Sequence, residues 1–182
     1  MRKRFTTENF RRMTEVGILP EESGWEIIDG AVNEKTSISA GNAGTVRKLS
    51  HIFGKLVFGK AIISNRNPIH IDQYNEPEPD IALLVPRKDF YIESHLTPNE
   101  VLLLIEVSDS TVEYDRDVKK TLYAEAEIAE FWLVNLKENT VERYSSPKNG
   151  SYRLAEILEP GETIKVGTIE NLELKVTEIL GA

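Results

Sequence analysis

Apolar and polar positions divide the chain into short alternating segments, one longer amphipathic segment and two continuous apolar runs. Residues Thr7 to Glu15 predict a helix with Thr6 or Thr7 as its N-cap. In WEIIDGAVNEKT, Trp25, Ile27 and Asp29 alternate with Glu26, Ile28 and Gly30. Asp29-Gly30 is a strong hairpin-turn dipeptide, so Glu26 falls on a short strand beside a hairpin. Over residues 43–59, Val46, Leu49, Phe53, Leu56 and Val57 recur at spacings that give a helix one apolar stripe. Arg47, Lys48, His51 and Lys55 collect on the opposite face of that helix.

A modest strand pattern follows from AIISN to IHID, and PEPDIALLV predicts a strand that begins at Pro79 or Asp80. VLLLIEV (101–107) and EFWLVNL (130–136) are nearly unbroken apolar runs, as in strands covered on both faces. Between them a polar stretch leads to a helix around 115–127. KENT is a turn, TVERYSS a strand, and the tail reads as short strands broken at Gly150, Gly161 and Gly167. The order predicts an α/β (α+β) fold, a central mixed β-sheet flanked by helices, with residues 1–182 forming a single domain.

Composition narrows the function. With 40% hydrophobic and 29% charged residues the chain can bury a core, which excludes wholesale disorder. The absence of cysteine removes disulfides, thiolate zinc sites and a Cys nucleophile. No segment is apolar enough to span a membrane, and no signal-peptide core follows the basic N-terminus, so a cytoplasmic protein is expected. The net charge of −8 opposes binding to a polyanion, but it is unevenly spread. Residues 1–12 carry +4 and residues 36–71 carry +5, the latter through Arg47, Lys48, Lys55, Lys60 and Arg66. Such a basic surface can dock a phosphate backbone, or it can be simply a solvated helix face.

Two carboxylates stand where carboxylates are costly. Glu106 shares a predicted strand face with Leu102 and Leu104, and Asp80 shares one with Ala82 and Leu84. If the strands are neighbours, both acids project to one point and offer Mg²⁺ its preferred hard oxygen donors. The bland alternative for Glu106 is a strand-end glutamate that reaches solvent or a nearby lysine. Lys119, near the start of the next helix, can fold back onto the same acids, or can pair only with Asp115 four residues before it. Lys120 is the adjacent alternative, and only one of the two should face the site. No G-x-S-x-G, P-loop or G-x-G-x-x-G is present, and His51, His70 and His95 lack metal-ligand spacing, so no nucleotide cofactor is expected.

Taken in order, an N-terminal helix, WEIIDG, PDIALLV, LLIEVSDST and YDRDVKKTLYAEAEIAEFWLVN resemble the Uma-type family of the restriction-endonuclease-like, PD-(D/E)XK nuclease superfamily. The likeness runs from about residue 5 to residue 145. It implies an αβββαβ core over residues 43–136 and a metal-dependent nuclease site. By this resemblance Asp80 and Glu106 bind the metal, and Lys119 replaces the lysine that the superfamily places two residues after the glutamate, where this chain has Ser108. Glu26 matches a glutamate in the family's YELIDG and is a further acidic site residue. Relatives often carry a histidine ahead of the helix, where this chain has Asn42.

The leading expectation is therefore a Mg²⁺- or Mn²⁺-dependent DNA endonuclease. Asp80, Glu106 and the Val107 carbonyl hold the metal, Lys119 orients water or stabilises charge, and Arg47, Lys48 and Lys55 track the phosphate backbone. The alternative is a nucleic-acid- or partner-binding module on a nuclease fold that does not cleave. DNA is the expected partner, and a homodimer in which apolar strands of the C-terminal part cover each other is expected by analogy alone.

Overall fold

The computed structural model describes residues 3–20, 24–35 and 39–181. Arg2 of the basic N-terminus lies outside the described residues. Helix α1 (Thr7–Glu15) is capped by Thr6, whose hydroxyl accepts from the Asn9 amide while the Asn9 side chain accepts from the Thr6 amide. Its Phe10 packs with Leu19 and Ile27. Ile27 belongs to a hairpin of β1 (Trp25–Ile28) and β2 (Ala31–Glu34). Asp29 (φ 50°) and Gly30 (φ 70°) form its turn, both in the left-handed region that a two-residue hairpin turn requires.

Helix α2 (Ala40–Leu56) starts three residues earlier than the apolar pattern predicts. Ser39 caps it by accepting from the Asn42 amide, so its first turn is set by a cap rather than by apolar spacing. Asn42 thereby lies within the helix and not ahead of it. α2 buries Val46, Leu49 and Phe53 on one sheet face.

The sheet contains β3 (Ile62–Asn65), β4 (Ile81–Leu84), β5 (Val101–Ser108), β6 (Glu130–Asn135), β7 (Thr140–Lys148) and β8 (Ser151–Leu158), in that spatial order. Only β5 and β6 run parallel; the other neighbours are antiparallel. Their parallel pairing requires a crossover, supplied by α3 (Val112–Tyr114), a π-helical turn (Asp115–Lys119) and α4 (Lys120–Glu125). The core from α2 to β6 thus has the expected αβββαβ order, but the crossover is not the single helix predicted over 115–127. The π turn inserts an extra residue per turn, which sequence periodicity does not reveal.

Each sheet face is covered. One carries Phe53, Ile81, Leu103, Ile105, Trp132 and Val134; the other carries Ala82, Leu104, Val112, Tyr123, Phe131 and Leu133. This double burial accounts for the continuous apolar runs in β5 and β6. A bulge opposite Leu83 and Leu84 leaves Leu102 as an extra residue and turns it toward the core opposite Leu104. Leu102 therefore does not share a face with Glu106. β4 starts at Ile81, and Asp80 stands just before it.

The tail forms a hairpin of β9 (Thr163–Lys165) and β10 (Glu173–Lys175), then a helix, α5 (Val176–Leu180), where only strands were expected. Five residues are too few to show a helical period. Val176 and Ile179 hold the segment on the α2 face of the core, so tertiary packing overrides the local pattern. Among the described residues no helix is long and apolar enough to cross a membrane.

A methyl group on Gly30 would come within 2.6 Å of the Arg4 Cβ and 3.0 Å of the Phe5 carbonyl, at a positive φ. Gly59 has a similar φ of +73° but open space around it. Gly30→Ala should therefore cost roughly 2–4 kcal/mol and Gly59→Ala only about 1 kcal/mol in chemical denaturation. Equal losses would contradict the packing of the hairpin turn against residues 4 and 5.

Candidate functional site

β5 and β4 set the two acids side by side. Their last paired residues are Ile105 and Ile81, so Glu106 and Asp80 are one step further along each strand. Both are buried, at 2% and 4% exposure. Oδ2 of Asp80 accepts from the Val107 amide at 3.0 Å. Its Oδ1 accepts from Arg66 Nη2 at 2.9 Å and lies 3.7 Å from Lys35 Nζ. Oε1 of Glu106 accepts from Lys119 Nζ at 3.0 Å and from the Tyr123 hydroxyl at 2.7 Å. Glu106 thus does not reach solvent.

Lys119 and Tyr123 stand four residues apart, so one helix face presents both to Glu106. The Lys119 ammonium, itself 3% exposed, also lies 3.0 Å from Glu26 and 3.7 Å from Asp115. Three carboxylates surround one ammonium. The pairing with Asp115 and the pairing with the strand acids therefore coexist. Asp115 is held by the Ser108 and Thr111 hydroxyls. Ser108 thus supports Lys119 at one remove, through Asp115. Lys120 turns the other way, with its ammonium 5.0 Å from the Tyr144 ring centre.

Asp80, Glu106, Glu26, Asp115 and Lys119 line a cavity of about 270 Å³ whose wall has six acids and three bases. Burial drives the Glu106 carboxyl up to about 7, against the opposing pull of Lys119. Burial disfavours charge on Lys119 as well, but Glu106, Glu26 and Asp115 together hold it well above its ordinary value. Tyr114, also in the wall, is raised to about 12 by burial and then by Glu26.

The donor set suits a hard cation. Oε2 of Glu106 takes no hydrogen bond from the described residues. Asn42 donates its amide to the Val107 carbonyl, leaving its own Oδ1 buried with no partner among the described residues. Among those residues no three His, Asp or Glu side chains form a ready metal cage. Mg²⁺ needs none, since it binds through one or two carboxylates and keeps water and phosphate in its remaining positions.

The family Uma2, described as "Putative restriction endonuclease", matches residues 7–177. The chain belongs to this family. Its fold is also that of a structure described as "a putative nuclease belonging to DUF820 from Anabaena variabilis ATCC 29413". The two are 17% identical over 97% of each chain, with a TM-score of 0.74. No curated protein matches the chain.

In this Uma2 chain, Asp80, Glu106, Val107, Lys119 and Glu26 all line the same cavity. The three basic residues expected to follow phosphates do not. Arg47 and Lys55 are exposed on α2 away from it, and Lys48 donates to the Ile179 carbonyl, tying α2 to α5. Sequence reasoning missed Lys35 and Tyr123, and it counted Arg66 only in the basic segment, not against Asp80. The four-residue spacing from Lys119 could have found Tyr123. Lys35 and Arg66 reach Asp80 from loops and carry no local signal.

Glutamate ordinarily titrates near 4.5, so the raised Glu106 means that the folded chain binds more protons than the unfolded chain between 4.5 and about 7. Its contribution to stability is present below 4.5 and lost as pH rises through about 7. In metal-free melts, the wild type should lose more Tm than Glu106→Gln between about pH 5 and about pH 8. Parallel curves would contradict the buried, up-shifted carboxyl.

Proposed function

We propose that the chain is a Mg²⁺- or Mn²⁺-dependent DNA endonuclease that hydrolyses phosphodiester bonds at Asp80, Glu106 and Lys119. One observation carries the reading: two acids from adjoining strands and an ammonium from the following helix meet in one cavity. Family membership supports the reaction class.

Asp80 and Glu106, with the Val107 carbonyl and the Asn42 Oδ1, are the groups that would hold the cation. When bound, the cation supplies charge neutralisation and Lewis acidity toward a phosphodiester. Lys119 is the fixed positive charge of the wall. Pinned by Glu26, Glu106 and Asp115, it cannot swing away, so it stabilises negative charge that develops on the phosphate without reorganising. Tyr123 donates to Glu106 and fixes the orientation of that carboxylate. Glu26 takes part through Lys119 and is a positioning residue.

A second reading has a specific observation behind it. Arg66 and Lys35 already neutralise Asp80, as they would in a module that binds nucleic acid but does not cleave it.

Nicking of supercoiled plasmid and thermal shift separate the two. The wild type should nick only with Mg²⁺ or Mn²⁺, and its Tm should rise with the metal by mass action. Asp80→Asn and Glu106→Gln should each lower nicking by about a hundred-fold or more. Lys119→Met should also lose about 3–5 kcal/mol of stability, because three buried carboxylates are left without a counter-charge. A Tm shift without nicking would favour the binding module; neither effect would remove the metal site.

A further inference from the structure

Asp80 is approached by two bases that are held very differently. Lys35 is anchored: its ammonium donates to the Glu78 carbonyl at 2.5 Å and lies 3.9 Å from the Glu78 carboxylate. Its side chain is only 16% exposed. Arg66 has one side-chain tie, to Asp80 Oδ1, among the described residues, and is 31% exposed. Its backbone is nonetheless fixed. Arg66 sits at φ 51°, donates its amide to the Asp80 carbonyl at 3.3 Å, and is followed by Asn67, which bonds to Ser64 and to the Asn65 carbonyl. A left-handed, hydrogen-bonded turn thus holds a long, partly exposed guanidinium in the cavity wall.

The two oxygens of Asp80 are not equivalent. Oδ2 is committed to the Val107 amide within the sheet. Oδ1 is the oxygen left for a cation, and Arg66 covers it. We propose that Arg66 is a substrate-binding residue held in reserve: it neutralises Asp80 in the metal-free chain, yields Oδ1 to the divalent cation, and then takes a phosphate oxygen of the nucleic acid. This rests on the metal-dependent reading above. A guanidinium is suited to both partners, since its planar fork matches carboxylate and phosphate alike. The exchange removes the closest positive group from Oδ1, at 2.9 Å, and leaves only the more distant Lys35 ammonium at 3.7 Å. It gives an acidic chain a positive group at the cavity exactly where α2 offers none.

The test uses the full chain, as wild type, Arg66→Met and Arg66→Gln, the second guarding against a misfolded first. Mn²⁺ binding is measured by calorimetry, and binding of a DNA duplex by anisotropy in Ca²⁺ at several salt concentrations. Loss of the competing guanidinium should tighten Mn²⁺ binding about five- to ten-fold. DNA affinity should fall about ten-fold and the salt slope should shrink by about one. Mn²⁺ affinity equal to or weaker than that of the wild type, or unchanged DNA affinity and slope, would overturn the role of Arg66 while leaving the metal site standing. Absence of Mn²⁺ binding in all three proteins would instead remove the metal site, and the proposal with it.

Discussion

A single ammonium buried among three carboxylates is the constraint on which the site depends. Lys119 draws Glu26 from the hairpin, Glu106 from the central strand and Asp115 from the crossover into one contact. Burying these charges is costly, and their mutual attraction offsets that cost only while all the partners are present. The ratio of acids to base also leaves the cluster short of positive charge. Burial is the main cause that raises Glu106, and Asp115 and Asp80 add to it; the same excess of acids favours a cation in the cavity.

The rest of the fold keeps that cluster in place. Arg116, in the π turn, forks onto Glu142 at 3.0 and 2.5 Å, and the Tyr144 hydroxyl completes the carboxylate's partners. This clamps the segment that carries Asp115 and Lys119 to β7. On the opposite flank, Glu130 accepts from Trp132, Arg143 and the Gly167 amide, which fastens the C-terminal segment to the sheet. Both acids are buried, yet each is satisfied by charged or well-aligned donors, unlike the partly satisfied groups of the cavity. Glu106, by contrast, keeps Oε2 without a hydrogen bond from the described residues.

For an acidic chain to act on a polyanion, positive charge must be local. α2 does not supply it at the cavity: Arg47 and Lys55 face solvent elsewhere, and Lys48 braces α5. Lys35, Arg66 and Lys119 bring it instead, each against a carboxylate. In the proposed reading, the substrate is bound through charges that are redistributed when a cation enters, rather than through a permanently basic face.

The linear pattern determined what depends on neighbours in the chain. Thr6 as a cap, Asp29-Gly30 as a turn, the amphipathic face of α2 and the apolar runs of β5 and β6 are all local or periodic effects, and they define the mixed sheet and its helices. A glutamate inside an apolar run, with a lysine in the next helix, was also legible, because charge in such a place demands a partner. Tertiary structure alone decided the rest. It brought Glu26 to Lys119, set Arg66 and Lys35 on Asp80, made a helix of Val176–Leu180 and selected Lys119 over Lys120. The physical reason is that these outcomes depend on how separate elements pack: a loop's backbone turn, a bulge or a π turn moves a side chain by a full face, and none of them alters the spacing of residues along the chain.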